Sequence, residues 1–189
     1  MPRFVLALAL LLAAGTPAMA QLPPPVTGVI QSVEAQGLTL KTGDGKTVAM
    51  TLPADAIVVK NQKADFAAIK PGEFIASAAI EQQDGKLHAQ ELRIFPEALR
   101  GRGEGHRPMA EPHESMTNAT VARVVGASGG GVLTTKYPGG TTEIVVDPGT
   151  PITAIETLGR AALKPGVSIS VRPEKAADGS FTARIVTVQ

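Results

Sequence analysis

Lys70-Pro71-Gly72-Glu73-Phe74-Ile75-Ala76-Ser77-Ala78-Ala79-Ile80 opens the stretch that decides the fold. Asp84-Gly85, followed by Leu87-His88-Ala89-Gln90-Glu91-Leu92-Arg93-Ile94, completes it. Phe74, Ala76, Ala78 and Ile80 alternate with their neighbours, and period two predicts a strand with one buried face. Asp84-Gly85 tolerates positive φ and suits a tight hairpin turn. After the turn Leu87 and Ala89 face one way, but Leu92 and Ile94 are out of phase with them. That slip predicts a bulge or bend, as where a strand rounds the corner of a barrel.

Further along, the chain repeats itself. Lys164-Pro165-Gly166 matches Lys70-Pro71-Gly72, and Asp178-Gly179 matches Asp84-Gly85, both offset by 94 positions. Val167, Ile169 and Val171 alternate as the counterpart strand, and Phe181, Ala183 and Ile185 slip against Val186 and Val188. Upstream, Val26-Thr27-Gly28-Val29-Ile30 resembles Val121-Ala122-Arg123-Val124-Val125 at an offset of 95. Leu38-Thr39-Leu40 and Pro53-Ala54-Asp55-Ala56-Ile57 match Leu133-Thr134-Thr135 and Pro148-Gly149-Thr150-Pro151-Ile152 at that offset. Each copy reads as three strands, a short helix and two strands, with room for an extra short strand around Ile57 to Val59. The helices fall at Ala64 to Ile69 and at roughly Leu158 to Leu163, stopped by Pro71 and Pro165.

The expected fold is therefore all-β: two tandem five- to six-stranded OB-like barrels, each with one short helix. An SH3-like barrel or a small sandwich competes. The expected division is a leader at 1–20, a Pro-rich linker at 21–25, a barrel at 26–95, a Gly/Pro-rich linker at 96–116 and a barrel at 117–189.

The N-terminus reads as a signal peptide. Arg3 supplies a positive charge, Phe4 to Ala14 is apolar without a break, and Ala18-Met19-Ala20 has the small–x–small pattern of a cleavage site. The apolar run is short of the roughly 20 residues that cross a bilayer. Cleavage after Ala20 predicts a periplasmic or secreted protein without stable membrane insertion. The chain has no cysteine, so it can form no disulfide there. It has 18 basic and 17 acidic residues, and with Arg3 in the leader the mature charge is zero. That balance, with 3% aromatic residues, argues against nucleic acid as a partner.

Gly28-x-Ile30-x-x-Val33, Lys70-Pro71-Gly72 and Asp84-Gly85-x-x-x-Ala89 resemble an exported bacterial domain of unknown function that often occurs in tandem. Arg100-Gly101-x-Gly103-Glu104-Gly105-His106-Arg107-Pro108, followed by Ser115-Met116-Thr117-Asn118-Ala119-Thr120, resembles one two-domain branch of it. The resemblance implies a small β-barrel and brings no catalytic residues with it.

Few side chains suggest chemistry. His106, Met109, His113 and Met116 combine imidazoles and thioethers, which suit copper, and imidazole also suits nickel. The competing reading is a solvated linker, because no fixed ligand spacing is present. His88 with Glu91 three positions on is the nearest approach to a general base, against the reading of His88 as a surface histidine on a strand. Arg100 to Gly105 is glycine-rich but does not join a strand to a helix, as a phosphate loop must. The expectation is a non-enzymatic exported binding or interaction module for a protein or small ligand, with its copies free to pack on each other. The alternative is a soluble periplasmic metal-handling protein for copper or nickel.

Overall fold

The computed structural model describes residues 24–127, 129–175 and 179–189. The expected leader therefore lies outside the described residues, as does Asp178 of the second Asp-Gly turn. Among the described residues no helix is long and apolar enough to cross a membrane. The fold is all-β. Its strands are β1 (Val26–Val33), β2 (Gly37–Thr42), β3 (Thr47–Thr51), β4 (Ile57–Ala64), β5 (Phe74–Glu81) and β6 (Leu87–Phe95). They continue as β7 (Gly105–Pro108), β8 (Glu114–Ala127), β9 (Gly130–Tyr137), β10 (Gly140–Val146) and β11 (Ile152–Leu158). The last are β12 (Ser168–Val171), β13 (Glu174–Lys175), β14 (Phe181–Thr182) and β15 (Ile185–Val188).

Five of these strands close a barrel: β8 pairs with β9, β9 with β10, β5 with β8 and β6 with β5, all antiparallel, and β10 returns to β6 in parallel. Another set follows the same course. Here β1 pairs with β2, β2 with β3, β12 with β1 and β15 with β12, and Thr182 of β14 meets Thr51 of β3 in parallel. The fifth position of this second circuit is split between β14 and β15.

Each circuit draws on both halves of the chain. One core gathers Ile30, Leu38, Leu40 and Leu52 with Ile169, Val171 and Val186. The other gathers Ile75, Leu92 and Ile94 with Val121, Leu133 and Ile144. The expectation that 26–95 and 117–189 each fold on themselves therefore differs from what the strands do. The reason lies in β4 and β11. The sequence left room only for a short strand near Ile57, but β4 runs straight for eight residues, about 26 Å at 3.3 Å per residue. It carries the chain out of the second circuit, after β3, and into the first, at β5. Antiparallel to it, β11 makes the reverse journey, in register from Val58↔Leu158 to Ala64↔Ile152. On either side lie β6, parallel to β11, and β15, parallel to β4.

The turns of the two circuits work alike. Ile30 N–H donates to the Val167 carbonyl and Gly166 N–H to the Ile30 carbonyl, each at 2.9 Å. Val121 makes the same exchange with Glu73 and Gly72, each at 2.8 Å. Val121, rather than Val125, is thus the counterpart of Ile30, and the longer β8–β9 hairpin absorbs the difference from the sequence match.

Other expectations are corrected. The two short helices are only 3-10 turns, Phe66–Ala68 and Arg160–Ala162. Three residues bracketed by extended backbone cannot repay helix nucleation. The segment 96–116, a linker by composition, holds a 3-10 turn at Glu97–Leu99 and strand β7, which pairs with β8 from Gly105↔Asn118 to Pro108↔Ser115. Leu99 is buried, and Arg100 pins the turn by donating to Glu97 and to the Gly72 carbonyl. The phase of β5 is also corrected. Ile75, not Phe74, belongs to the barrel core, while Phe74 is buried on the opposite face, its ring 5.8 Å from that of Phe95.

Candidate functional site: a basic cleft over the crossing strands

Because strand side chains alternate, Val59 and Asn61 of β4 share a face with Ile155 of β11, to which Asn61 is paired. Thr187 is paired with Val59, and Ile185 lies two positions away on the same face of β15. Arg93 and Phe95 extend that face on β6. The result is a cleft of about 710 Å³ whose floor is Val59, Phe95, Leu99, Ile155 and Ile185. Leu99 enters that floor from the turn at Glu97–Leu99.

Charge is concentrated at the rim. Arg93, Arg102, Arg172, Lys175 and Arg184 line the cleft, and among the described residues Glu174 is its one carboxylate. In a chain with 18 basic and 17 acidic residues, this is a local excess of four positive charges. Two of the arginines are engaged. Arg184 Nε donates to Glu174 at 3.0 Å with Asp55 at 3.9 Å, and Arg93 reaches Glu91 at 3.3 Å. Arg102 and Arg172 have no carboxylate or hydrogen-bond partner for their guanidinium groups among the described residues. The backbone of Arg102 is held, because Asn118 Nδ2 donates to its carbonyl at 2.9 Å.

This cluster was hidden in the sequence. The only local basic excess there is Arg100, Arg102 and Arg107. Arg93, Arg172 and Arg184 are scattered along the chain and meet only because β6, β12 and β15 converge beside the crossing strands. A second hollow of about 610 Å³ lies along Asn61–Phe66 and Gly149–Thr153. Its lining charges, Lys63 and Asp65, cancel.

The expected metal ligands lie on the β7–β8 hairpin. His106 is paired with Thr117, and its Nδ1 lies 2.8 Å from Thr117 Oγ1, with the ring stacked on Tyr137 at 6.1 Å. Met116 is paired with Arg107, so it lies on the opposite face from His106. Met109 is exposed, and His113 is at the turn with φ of 64°. The hairpin does not bring the four side chains to one point.

His88, read from sequence as a surface histidine with Glu91 near, has other partners. Its side chain is 13% exposed, with Nδ1 at 2.7 Å from Asp147 and Nε2 at 3.3 Å from Asp84. The Asp147 carboxylate, assisted by Asp84, raises the His88 pKa above its ordinary value. Both ring nitrogens are occupied, so the imidazole clips the β5–β6 turn to the loop after β10. Asp147 comes from the far half of the chain, which is why the clip was not legible. Compared with protein-family models, curated proteins and solved structures, the chain matched none.

Proposed function

We propose that this chain is an exported, non-enzymatic binding module and that the basic cleft is its ligand site. We read its architecture as a duplicated OB-like unit whose two copies have exchanged halves. Export rests on the leader-like residues 1–20, with the mature protein periplasmic or secreted.

One observation carries the binding reading: two exposed guanidinium groups, Arg102 and Arg172, have no protein partner among the described residues and border an apolar floor. Such a cleft calls for an anion, since guanidinium forks match carboxylate and phosphate oxygens. The same lining offers little for acid–base chemistry, Lys175 being its one cationic group that can become neutral among the described residues. Guanidinium does not give up its proton, the cleft contains no histidine, and Glu174 is held by Arg184. The copper or nickel alternative has less support, because His106 and Met116 sit on opposite faces of their hairpin.

The test is calorimetry with alkyl and aryl carboxylates and phosphate esters against their neutral alcohols, using the wild type and an Arg102→Ala/Arg172→Ala variant. Anions should bind the wild type and lose about tenfold or more in the variant, the scale of a lost charge-assisted hydrogen bond. Equal heats for both proteins would overturn the assignment of the site.

A further inference from the structure

We infer that the ligand of this cleft is a single-chain amphiphile with an anionic oxygen head, a carboxylate or a phosphate, bound as a monomer and probed below with carboxylates; this rests on the anion-binding reading above. The floor decides it. Phe95, Ile155 and Ile185 are half-buried and present the apolar surface a ligand body would meet, while Val59 and Leu99, each 3% exposed, add little to it, so that surface is aliphatic with one ring. Phe95 is already tilted against Phe74 at 40°, and no second aromatic lines the cleft to sandwich a base. The neutral polar side chains are Asn61, Ser170 and Thr187. A sugar or nucleoside would bury many hydroxyl and amide groups against too few partners, and each unpaired group would cost affinity. An alkyl chain needs no such partners.

The rim supplies the complement. Arg102 approaches from the connection between β6 and β7, and Arg172 from the segment after β12. The two stand on different halves of the chain and border one floor. A carboxylate seated among them meets the local excess of positive charge while its chain lies along Phe95, Ile155 and Ile185. The volume of about 710 Å³ is in the range of small-molecule sites, about 300–1,000 Å³.

The experiment is calorimetry on the full mature chain with acetate, hexanoate, octanoate, decanoate and dodecanoate below their micellar concentrations. Inorganic phosphate, the matching alcohols and phosphatidylglycerol vesicles complete the set. Each added methylene should strengthen carboxylate binding by about fourfold until the floor is covered, following about 0.8 kcal/mol per buried methylene. Arg102→Gln/Arg172→Gln should weaken dodecanoate about tenfold or more and leave dodecanol unchanged. Ile155→Ser should flatten the dependence on chain length and leave the weak binding of acetate as it was. If acetate and phosphate bind as well as dodecanoate, this inference falls and the anion site stands. If the protein binds vesicles but no monomeric carboxylate, the inference also falls. If no anion binds, or the arginine substitutions change nothing, both readings fall together.

Discussion

Arg160 ties one half of the chain to the other. Its Nη1 donates to the Pro53 carbonyl at 2.9 Å, and its Nη2 reaches the carbonyls of Ala35 at 2.7 Å, Glu34 at 3.2 Å and Leu52 at 3.4 Å. One guanidinium thus gathers the β1–β2 turn and the end of β3 from more than a hundred residues away. Arg160→Ala should cost about 1.5–3 kcal/mol, the range for hydrogen bonds to a charged group, read from urea denaturation. Arg160→Lys should recover little, because an ammonium cannot spread over four carbonyls as a planar fork does. In the other circuit Phe66 serves a similar end by apolar contact. A methyl group on Gly126 or Gly131 would run into the facing backbone and the Phe66 ring. Gly126→Ala should therefore cost about 1–3 kcal/mol through overpacking, seen as a lower Tm. Neither role could be read in advance, because both residues sit in segments that looked like short helices.

Element by element, turns were the most legible. Lys70-Pro71-Gly72 and Lys164-Pro165-Gly166 end in glycines at φ of 93° and 87°, and Gly85 turns its hairpin at 72°. The slip between Ala89 and Leu92 is a real bulge: Ala78 pairs with Glu91 and Ala79 with Ala89, which leaves Gln90 as the extra residue. The phase of β5 was not legible, because both its faces are buried and Phe74 and Ile75 compete as core residues. Phe74 is 1% exposed, so Phe74→Ala should still cost about 3–5 kcal/mol, measured by chemical denaturation. The His88 clip joins two loops and gives a pH signature. Its raised pKa means that the folded state holds the proton more tightly than the unfolded chain does. That stabilisation is fully present below the ordinary imidazole pKa of about 6.5 and is lost as pH rises through the elevated value. Asp84 works in the opposite sense: its pKa is lowered by the Lys86 backbone N–H and then by His88, so its contribution is lost in acid. Between about pH 6 and 8 the wild-type Tm should fall more than that of His88→Gln. Parallel profiles would show that the clip does not form.

At the scale of the whole molecule, the sequence holds the strands but not their partners. Two similar stretches contain the same alternation and turns, so the pattern cannot say whether β1 closes on β5 or on β12. The length of β4 and β11 decides it, and those eight- and seven-residue strands looked like brief extensions of a turn. The cleft depends on the same choice, since Arg93 and Arg102 come from one half and Arg172 and Arg184 from the other. The absence of cysteine allows a direct test by engineered disulfides. Thr27 is paired with Ser170 across β1 and β12, with their hydroxyl oxygens 3.4 Å apart, close enough for a disulfide. If each half closed on itself, Thr27 would instead face Ala76, the position that corresponds to Ser170. The deciding measurement is mass spectrometry of the oxidised monomer for two variants, Thr27→Cys/Ser170→Cys and Thr27→Cys/Ala76→Cys. The exchanged arrangement predicts an intramolecular disulfide in the first and free thiols in the second. A disulfide in the second and free thiols in the first would contradict it.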